Sequence, residues 1–386
     1  MNNFEKEAKY LIQTYAKYPI ELVKGEGSYV WDSTGKKYLD FYGGHAVCIL
    51  GHCHTKIVKA INDQSKNLIF YSNVFSTAPA ILLAEHLAKT LEPKEYQVYL
   101  TNSGSEANET ALKIARKHTG KDRVISFKNA FHGRGIPPLA VTGIDSYHKY
   151  KPNLDNYTSF AELGDMESVY AAYNDNTAAV ICEPIQSIGG LNMAEPSFYK
   201  ELEEFCKEKN MLLIFDEIQT GLGRTGTFWF SEYLKVSPDI ITTAKGIAGG
   251  LPLSAVIVKK EFSSEIKVGD HATTFGGGPV PCAAAVATLE IILKKGFLAE
   301  VSGKEQAIRE KLKDNPRIIK IRGKGLLLGI ELDNHYPNIV KECNAEGLII
   351  STSSDKKVLR IMPPLIITQS QIDQFAEIFI RVLNRQ

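Results

Sequence analysis

Short apolar segments alternate with segments of helical spacing through the middle of the chain, and this alternation limits the fold more than any other sequence feature. The apolar segments, rich in β-branched and aromatic residues, lie at 98–100, 124–127, 178–182, 212–215, 240–241 and 255–258. Helical spacing occurs between them at 105–118 and 198–209. Apolar strands separated by helices are typical of a buried, mostly parallel sheet with helices on both faces. The sequence therefore predicts an α/β fold.

The two ends of the chain follow a different pattern and predict a second, smaller domain. Segments 29–32 and 37–40 flank a Ser-Thr-Gly turn and predict a hairpin, and helical spacing follows at 57–67 and 79–90. We expect a large domain at 61–280, a small α+β domain at 281–386, and residues 1–60 packed with the small domain. Within the small domain, a long apolar helix at 281–294 precedes strand candidates at 318–322, 326–332, 348–350 and 358–361 and helices near 304–313 and 370–384.

Composition and charge exclude several classes of function. The chain has 386 residues, of which 44% are hydrophobic, and its formal net charge of +1 gives no broad attraction to nucleic acid or to a membrane surface. The charged start MNNFEKEAKY does not resemble a signal peptide, and no apolar run approaches about 20 residues, the length of a membrane span. The six cysteines show no framework spacing, so reduced thiols and a cytoplasmic location are expected.

A group of histidines with one cysteine suggests a metal site, but the spacing does not support one. His45 precedes the run Gly51-His52-Cys53-His54. No second ligand pair stands at a recognised zinc spacing, and His52 and His54 would point apart on an extended segment. We therefore predict no metal site.

An acid and an amine follow two of the predicted strands. Asp216 directly follows 212–215, and Lys245 follows 240–244. Ligands of open α/β sheets bind at the carboxyl ends of the strands, so both side chains would lie at that edge. Among small and apolar neighbours, Lys245 would be partly desolvated and therefore reactive as a neutral amine. The alternative is an acid that only forms a turn and a lysine that is only solvated.

The loop between 98–100 and the helix at 105–118 suits an anion. Ser103 and Glu106 fit a capping box at the start of this helix. Gly104 would let a ligand approach the free amides of the first turn. A simple helix cap explains the same residues equally well, so the loop alone does not establish a phosphate site.

Two further strand ends carry groups that suit a ligand. After 124–127, Phe131 could stack on a flat ring and Arg134 could hold a carboxylate, unless this loop is only a solvated surface. Glu183 ends the strand at 178–182. The recurrence of such groups at one edge of the sheet favours a ligand site over independent coincidences.

Together these groups suit a flat, anionic, nitrogen-containing cofactor that carries an aldehyde. A lysine can hold the aldehyde covalently, a carboxylate can keep the ring nitrogen protonated, and helix-start amides can hold a phosphate. Pyridoxal 5'-phosphate (PLP) combines these features, so the sequence predicts a PLP site.

The central motif of the chain resembles that of the class III, ω-amino-acid type aminotransferases of fold type I. The motif reads LLIFDEIQTGLGRTG, with AKGIAGGLP downstream. The resemblance extends over essentially the whole chain, from the run YVWD at 29–32 to the run RIMPPL at 360–365, and is strongest to acetylornithine and succinylornithine aminotransferases. It implies a large domain with a seven-stranded, mostly parallel sheet and a smaller α+β domain.

The resemblance also implies a role for each site residue. Lys245 would bond to the cofactor aldehyde and carry the proton between substrate and cofactor, Asp216 would pair with the ring nitrogen, and Glu183 would support this network. Arg134 would clamp the substrate α-carboxylate, and Arg360 would lie near the other end of the site. The remaining cofactor contacts would come from Ser103, Gly104 and Ser105 at the phosphate, Phe131 and Ile218 on the ring faces, Gln219 near the ring hydroxyl, and His132.

Thr274, in the run TTFGG, matches the family threonine that reaches the phosphate bound by the neighbouring subunit. This match implies an obligate homodimer with shared active sites. Close by, the family's Gly-Gly-Asn-Pro reads Gly277-Gly278-Pro279.

A second departure concerns Arg360. The family commonly reads Glu-Pro-Ile-Gln-Gly-Glu-Gly-Gly where this chain reads EPIQSIGG, so Ile188 replaces an acid that can pair with the later arginine in relatives. We hypothesise that Arg360 is not neutralised here and stays available to a carboxylate. Glutamate would use it, and a succinylated donor, with its extra carboxylate, would be favoured over an acetylated one.

The sequence therefore predicts a PLP-dependent aminotransferase that moves the terminal amine of N-acetylornithine or N-succinylornithine to 2-oxoglutarate, in arginine biosynthesis. One alternative keeps the cofactor and changes the donor to free ornithine, 4-aminobutyrate or a lysine-derived amine. Another is a doubly wound binding protein without catalysis, which the joint presence of Lys245 and Asp216 disfavours.

Overall fold

The computed structural model of the protein describes residues 2–149 and 157–386 and contains three β-sheets surrounded by helices. The strands are β1 (Leu22–Glu26), β2 (Tyr29–Asp32), β3 (Lys37–Asp40), β4 (Tyr96–Thr101), β5 (Arg123–Phe127), β6 (Thr158–Ala161), β7 (Thr177–Cys182), β8 (Leu212–Asp216), β9 (Ile240–Thr243), β10 (Ser254–Lys259), β11 (Ile318–Lys324), β12 (Leu327–Leu332), β13 (Leu348–Ile349), β14 (Ser351–Thr352) and β15 (Val358–Ile361). The helices are α1 (Asn3–Tyr10), α2 (Gly43–Ala46), α3 (Thr55–Asn67), α4 (Ala78–Lys89), α5 (Gly104–Thr119), α6 (Ile136–Ala140), α7 (Met166–Ala172), α8 (Pro196–Glu208), α9 (Phe230–Leu234), α10 (Lys260–Ser263), α11 (Pro279–Ile292), α12 (Phe297–Leu312), α13 (Ile339–Ala345) and α14 (Gln369–Leu383). Short 3-10 turns cover Asp145–Tyr147 and Lys245–Ala248.

The central sheet has seven strands in the order β4-β10-β9-β8-β7-β5-β6. Its neighbouring strands pair in parallel except at β10, which runs antiparallel to both β4 and β9. The predicted α/β fold with a seven-stranded, mostly parallel sheet is thereby confirmed. Every residue of β7, β8 and β9 is buried, because helices cover both faces of the sheet, and these strands therefore read as continuous apolar runs.

Parallel pairing brings the carboxyl ends of β8 and β9 to one edge of the sheet. In this pair Asp216 lies opposite Thr242, and Lys245 follows Thr242 closely in the sequence. The acid and the amine therefore lie at neighbouring strand ends. β4 ends at the same edge and leads into α5. α5 ends at Gly120, whose φ of 68° is a left-handed conformation that glycine adopts readily. The topology thus places an acid, an amine and a helix start at one edge.

The smaller sheets join the two ends of the chain. One has the order β1-β2-β3-β13 and contains the predicted hairpin of β2 and β3, and the other has the order β11-β12-β15-β14. β3 pairs in parallel with β13, where Leu39 lies opposite Leu348. Phe41 stacks on Phe375 of α14 with ring centroids 4.2 Å apart. These contacts support the packing of residues 1–60 with the small domain, and the boundaries at 60 and 280 stay a prediction.

The sequence pattern does not reveal β1, β6 or β14. Most residues of β1 are exposed, β6 lies at one edge of the central sheet, and β14 contains only two residues. Strands with little burial lack the apolar signal on which the interpretation of a sequence depends. The missed strands therefore lie at sheet edges, and the buried strands match their predicted positions closely.

The histidines of the rejected metal cluster have structural partners. His52 Nε2 pairs with Asp40 Oδ2 at 2.8 Å, and His54 Nδ1 accepts a hydrogen bond from the Lys56 amide at 3.3 Å, at the start of α3. Across residues 2–149 and 157–386, no three His, Cys, Asp or Glu side chains are grouped closely enough to hold a metal ion. No helix of these two ranges combines the length and the apolarity of a membrane span.

Candidate active site

A cavity of about 490 Å³ opens at the carboxyl edge of the central sheet. Val47 from the N-terminal segment and the loop 250–253 form part of its wall. Two predicted site residues, Thr274 and Arg360, do not line it. The others do: Ser103, Gly104, Ser105, Phe131, His132, Arg134, Glu183, Asp216, Ile218, Gln219 and Lys245.

Asp216 is buried and is held by three nitrogen groups. Asn108 donates from Nδ2 to Oδ2 at 2.7 Å, and His132 pairs through Nδ1 with the same oxygen at 2.8 Å. The amide of Ile218 donates to Oδ1 at 3.2 Å. Asn108 is oriented in turn by Thr242, which donates to its Oδ1 at 2.7 Å. Donors on both oxygens suit the carboxylate form, which only accepts hydrogen bonds.

His132 lies against the acid and is buried. Because a carboxylate oxygen only accepts, Nδ1 donates in this contact. Nε2 is buried and has no hydrogen-bond partner within the described ranges. The geometry therefore gives His132 a contact with Asp216, and its direct contact with a cofactor stays a prediction.

Lys245 begins the 3-10 turn after β9 with a φ of 46°, a region that non-glycine residues rarely adopt. Such backbone strain persists where the surrounding structure fixes it, often at functional sites. Burial lowers the pKa of the Lys245 amine to about 8, the charges of Asp216 and Glu183 oppose this, and Arg360 adds to it. A fraction of the amine is therefore neutral, and hence nucleophilic, near neutral pH.

Glu183 is a second buried acid in the cavity wall. Its Oε1 accepts a hydrogen bond from the Phe131 amide at 2.7 Å, which fixes the loop that carries this aromatic ring. Burial raises the pKa of Glu183 and the nearby charge of Asp216 raises it further, whereas the Phe131 amide and Lys245 act in the opposite direction. Glu183 thus holds a proton more readily than an exposed glutamate.

The start of α5 forms the part of the cavity that suits an anion. The amides of Gly104 and Ser105 belong to the first helical turn, where no partner exists within the helix. A Cβ on Gly104 would lie 2.6 Å from Cδ1 of Ile218, so a larger residue here would displace the end of that side chain in the cavity wall. The Ser105 hydroxyl accepts from the Gly135 amide at 3.2 Å and keeps its own proton for another acceptor. A phosphate group fits these donors.

Arg134 is exposed and is held by two aromatic rings. Its guanidinium carbon lies 4.4 Å from the ring centroid of Tyr147 and 5.9 Å from that of Phe131. The two rings pack edge to face at 5.4 Å. Stacking orients the guanidinium, and its N–H groups have no hydrogen-bond partner among the residues that the structure describes, which suits bidentate contact with a carboxylate.

The side chains and amides that line the cavity fit the chemical groups of PLP. The wall offers a carboxylate for a ring nitrogen in Asp216, an amine for an aldehyde in Lys245, and helix amides for a phosphate at Gly104 and Ser105. The predicted site is therefore assembled in one chain except for Thr274 and Arg360.

Arg360 lies outside the cavity wall and is buried. Its Nε donates to the carbonyl of Thr352 at 2.9 Å, and Nη1 donates to Oγ of Ser187 at 3.3 Å. Within the part of the chain that the structure describes, no carboxylate forms an ion pair with it. Ile188, at the position of the missing acid, is apolar and buried. This arrangement supports the hypothesis that Arg360 is not neutralised, and its use of substrate carboxylates stays a prediction.

Thr274 lies in a different place. It is exposed and lines a groove formed with residues 72–77 and 98–100. Asn73 holds this segment, because its Nδ2 donates to the carbonyls of Thr273 at 3.0 Å and Gly276 at 2.9 Å. A single chain therefore does not bring Thr274 to the cavity that contains Lys245.

Three residues of the site were not predicted from the sequence. Asn108 carries a detectable signal, since it lies one helical turn after Gly104 and so faces the same side of α5. Ser187 is marked only by its departure from the family pattern. Tyr147 has no signal in the sequence, because its contact with Arg134 depends on how a loop folds back.

Comparison with known proteins gives matches along nearly the whole chain. The family model described as Aminotransferase class-III matches residues 10–383. The acetylornithine aminotransferase of Caldanaerobacter subterraneus subsp. tengcongensis is 43% identical over 390 residues, covering 98% of each chain. That of Methanosarcina acetivorans is 41% identical, covering 97% of this chain and 94% of the relative. The solved structure of the ornithine aminotransferase from Toxoplasma gondii has a TM-score of 0.93 at 30% identity, covering 99% of this chain and 94% of that chain.

Proposed function

The chain belongs to the class III aminotransferases, and from this membership we propose that it moves the terminal (δ) amine of N-acetylornithine, or of N-succinylornithine, to 2-oxoglutarate. The products are the N-acyl-glutamate semialdehyde and glutamate, and the expected setting is arginine biosynthesis. Class III aminotransferases depend on PLP, so PLP is the cofactor of this enzyme. Identities of 43% and 41% to acetylornithine aminotransferases over almost the full length support the acylated donor.

The observation that carries the reaction class is that Lys245 and Asp216 line one cavity. PLP, when bound, supplies a ring that takes up the electron pair of a substrate carbanion. Asp216, fixed by Asn108 and His132, would hold a proton at the ring nitrogen. Lys245, whose amine has a pKa of about 8, would accept a proton from the amine-bearing carbon and return it. Both roles need the two side chains on the same cavity.

Two arginines would bind substrate carboxylates. Arg134 reaches the cavity with its guanidinium stacked on Tyr147, which supports its assignment to an α-carboxylate. Arg360 has no acidic partner among the described residues, which supports its assignment to a second carboxylate. 2-Oxoglutarate carries two carboxylates, so it suits a site with two arginines.

The main rival keeps the chemistry and changes the donor. The ornithine aminotransferase of Toxoplasma gondii has nearly the same fold, so free ornithine is the first alternative, followed by 4-aminobutyrate and lysine-derived amines. A half-reaction screen separates them: holoenzyme is mixed with each amine without an oxo acid, and conversion of the cofactor to its amine form is followed by the loss of its visible absorption. We expect N-acetylornithine or N-succinylornithine to react fastest.

The same screen contains its own control. Lys245→Ala should show no conversion with any donor, which excludes loss of absorption by simple dissociation of the cofactor. Faster conversion by free ornithine than by both acylated donors would transfer the assignment to the rival. Failure of every amine would reject the aminotransferase reaction itself.

We propose further that the enzyme is a homodimer in which Thr274 reaches the partner's cavity. Support comes from its exposed position and from apolar neighbours on the same side, including Val74 at 82%, Phe75 at 61% and Phe275 at 66% exposure. Exposed apolar surface of this kind usually marks an interface. We also propose a cytoplasmic location, as expected from the sequence. Cell fractionation would test it.

A further inference from the structure

Ser187 joins Arg360 to the cavity. Its side chain is fully buried in the loop that follows Glu183. Nη1 of Arg360 donates to Oγ of Ser187 at 3.3 Å, and Oγ lies 3.0 Å from Oε1 of Gln219. Gln219 lines the cavity together with Lys245. The Ser187 hydroxyl therefore connects the Arg360 guanidinium, which lies outside the cavity wall, with the Gln219 amide, which is part of that wall.

The direction of these hydrogen bonds follows from the protons available. A guanidinium only donates, so Ser187 Oγ must accept from Arg360 and still has one proton to place. The acceptors near that proton are Oε1 of Gln219 at 3.0 Å and the sulfur of Met362 at 4.0 Å. Sulfur is the weaker acceptor, so the hydroxyl donates to Gln219.

This donation fixes which end of the Gln219 amide faces the cavity. With Oε1 turned to Ser187, the Nε2 group is left without an acceptor among the residues that the structure describes. An amide nitrogen carries two protons and accepts none, so Gln219 presents only donors to a ligand. The reversed amide would instead present an acceptor to the cavity, and the Ser187 hydroxyl proton would be left with only the weaker sulfur acceptor of Met362.

We infer that Ser187 is a positioning residue that keeps the Gln219 amide turned with its N–H donors toward the cavity. There they would meet the ring oxygen of the bound cofactor, the contact that the family resemblance assigns to Gln219. Arg360 contributes by occupying the acceptor side of the hydroxyl, which leaves the proton for Gln219. The inference rests on the proposed function for the presence of the cofactor. It goes beyond that function because it assigns the amide orientation to a hydroxyl that neither lines the cavity nor meets the substrate.

The test uses the resting holoenzyme without any donor. The visible absorption of the bound cofactor is titrated with pH in the natural enzyme, Ser187→Ala, Gln219→Ala and the double variant. A donor at the ring oxygen stabilises its negative charge, so losing that donor raises the pH midpoint of the absorption change. We expect Ser187→Ala to raise the midpoint by about half a unit or more, the size of one hydrogen bond.

The double variant separates orientation from a general effect. If Ser187 acts through Gln219, Ser187→Ala should add no further shift in the Gln219→Ala background. Equal shifts in both backgrounds, or no shift in the single variant, would overturn the inference. Ser126→Ala is a matched control, because this buried hydroxyl donates to the carbonyl of Val141 at 2.6 Å and does not line the cavity. Its midpoint should equal that of the natural enzyme.

The outcome stays distinguishable from failure of the proposed function. The titration needs a bound cofactor and no turnover, so an enzyme that rejects N-acetylornithine still gives a valid result. An enzyme that binds no PLP at all would reject the proposed function first.

Discussion

Asn108 holds Asp216 in place from the second turn of α5. Its Nδ2 donates to Oδ2 of the acid at 2.7 Å and also to the carbonyl of His132 at 2.8 Å, while its Oδ1 accepts from Thr242. One amide therefore connects the helix that begins at the phosphate end of the cavity with the strand that leads to Lys245. Asn108 is fully buried and, with His132 and the Ile218 amide, fixes the position of the acid.

Asn108→Ala should weaken cofactor binding, because Asp216 would lose one of the groups that orient it toward the cavity. The substitution removes a hydrogen bond to a charged group, worth about 1.5–3 kcal/mol, so we expect the Kd for PLP to rise about tenfold or more. The measurement is quenching of intrinsic fluorescence as the apoenzyme is titrated with PLP. Thr242→Val, which removes only the hydroxyl behind Asn108, is the graded control and should produce a smaller rise. An unchanged Kd in Asn108→Ala would contradict the role assigned to this residue.

The pH dependence of cofactor association reports on Lys245. Burial lowers the pKa of this amine to about 8, so the neutral, nucleophilic form becomes dominant above about pH 8 rather than near the usual value for lysine. The rate at which PLP joins the apoenzyme should therefore rise with pH and level off above about 8. Stopped-flow absorbance across pH 6 to about 10 measures the midpoint. A midpoint near 10 would show that burial does not act on this amine.

Glu183→Gln should move that midpoint downward. In its ionised form Glu183 opposes the lowering of the Lys245 pKa. Gln is uncharged at every pH, so burial acts on the amine with less opposition. Gln keeps an oxygen that can accept from the Phe131 amide, so the loop should stay in place. Glu217→Gln is the matched control, since this buried acid accepts from the amides of Phe230 at 2.7 Å and Ser231 at 2.9 Å, away from the cavity. An upward shift of the pH midpoint in Glu183→Gln would contradict the predicted direction.

Much of this site could be predicted because sheet topology alone places it. Asp216 and Lys245 follow buried strands whose apolar runs are obvious, and parallel pairing brings their ends together whatever the loops do. The start of α5 is equally predictable, since Ser103 and Gly104 mark the end of a strand and the beginning of a helix. These positions depend on backbone periodicity, which the sequence records.

The remaining contacts depend on how side chains meet across loops, which periodicity does not record. The stacking of Tyr147 on Arg134 and the bridge from Ser187 to Gln219 join residues far apart in the chain. The antiparallel direction of β10 was likewise hidden, because its buried residues read like those of its parallel neighbours. Thr274 shows the opposite case, in which a motif was recognised but one chain does not bring it to the cavity.

The choice between acetyl and succinyl donors should depend on Arg360. Its Nη1 donates to the neutral hydroxyl of Ser187, and Ile188 leaves no acid at the position where relatives carry one. We expect kcat/KM for N-succinylornithine to equal or exceed that for N-acetylornithine, and Arg360→Ala to reduce the succinyl value about tenfold more than the acetyl value. Steady-state kinetics with both donors at saturating 2-oxoglutarate provides the comparison. A strong acetyl preference that Arg360→Ala leaves unchanged would reject the hypothesis.

A mixed dimer tests whether Thr274 serves the neighbouring subunit. Lys245→Ala removes the amine from one subunit, and Thr274→Ala removes the hydroxyl from the other, so each homodimer should be inactive or weak at low PLP concentration. If Thr274 acts across the interface, the heterodimer has one cavity with both groups intact and should recover about half of the natural activity. Co-expression with two different affinity tags, followed by tandem purification, isolates that heterodimer. If Thr274 acts within its own subunit, neither cavity is complete. The mixed dimer then has one Thr274→Ala cavity and one cavity without the lysine amine, so it should show about half the activity of the Thr274→Ala homodimer.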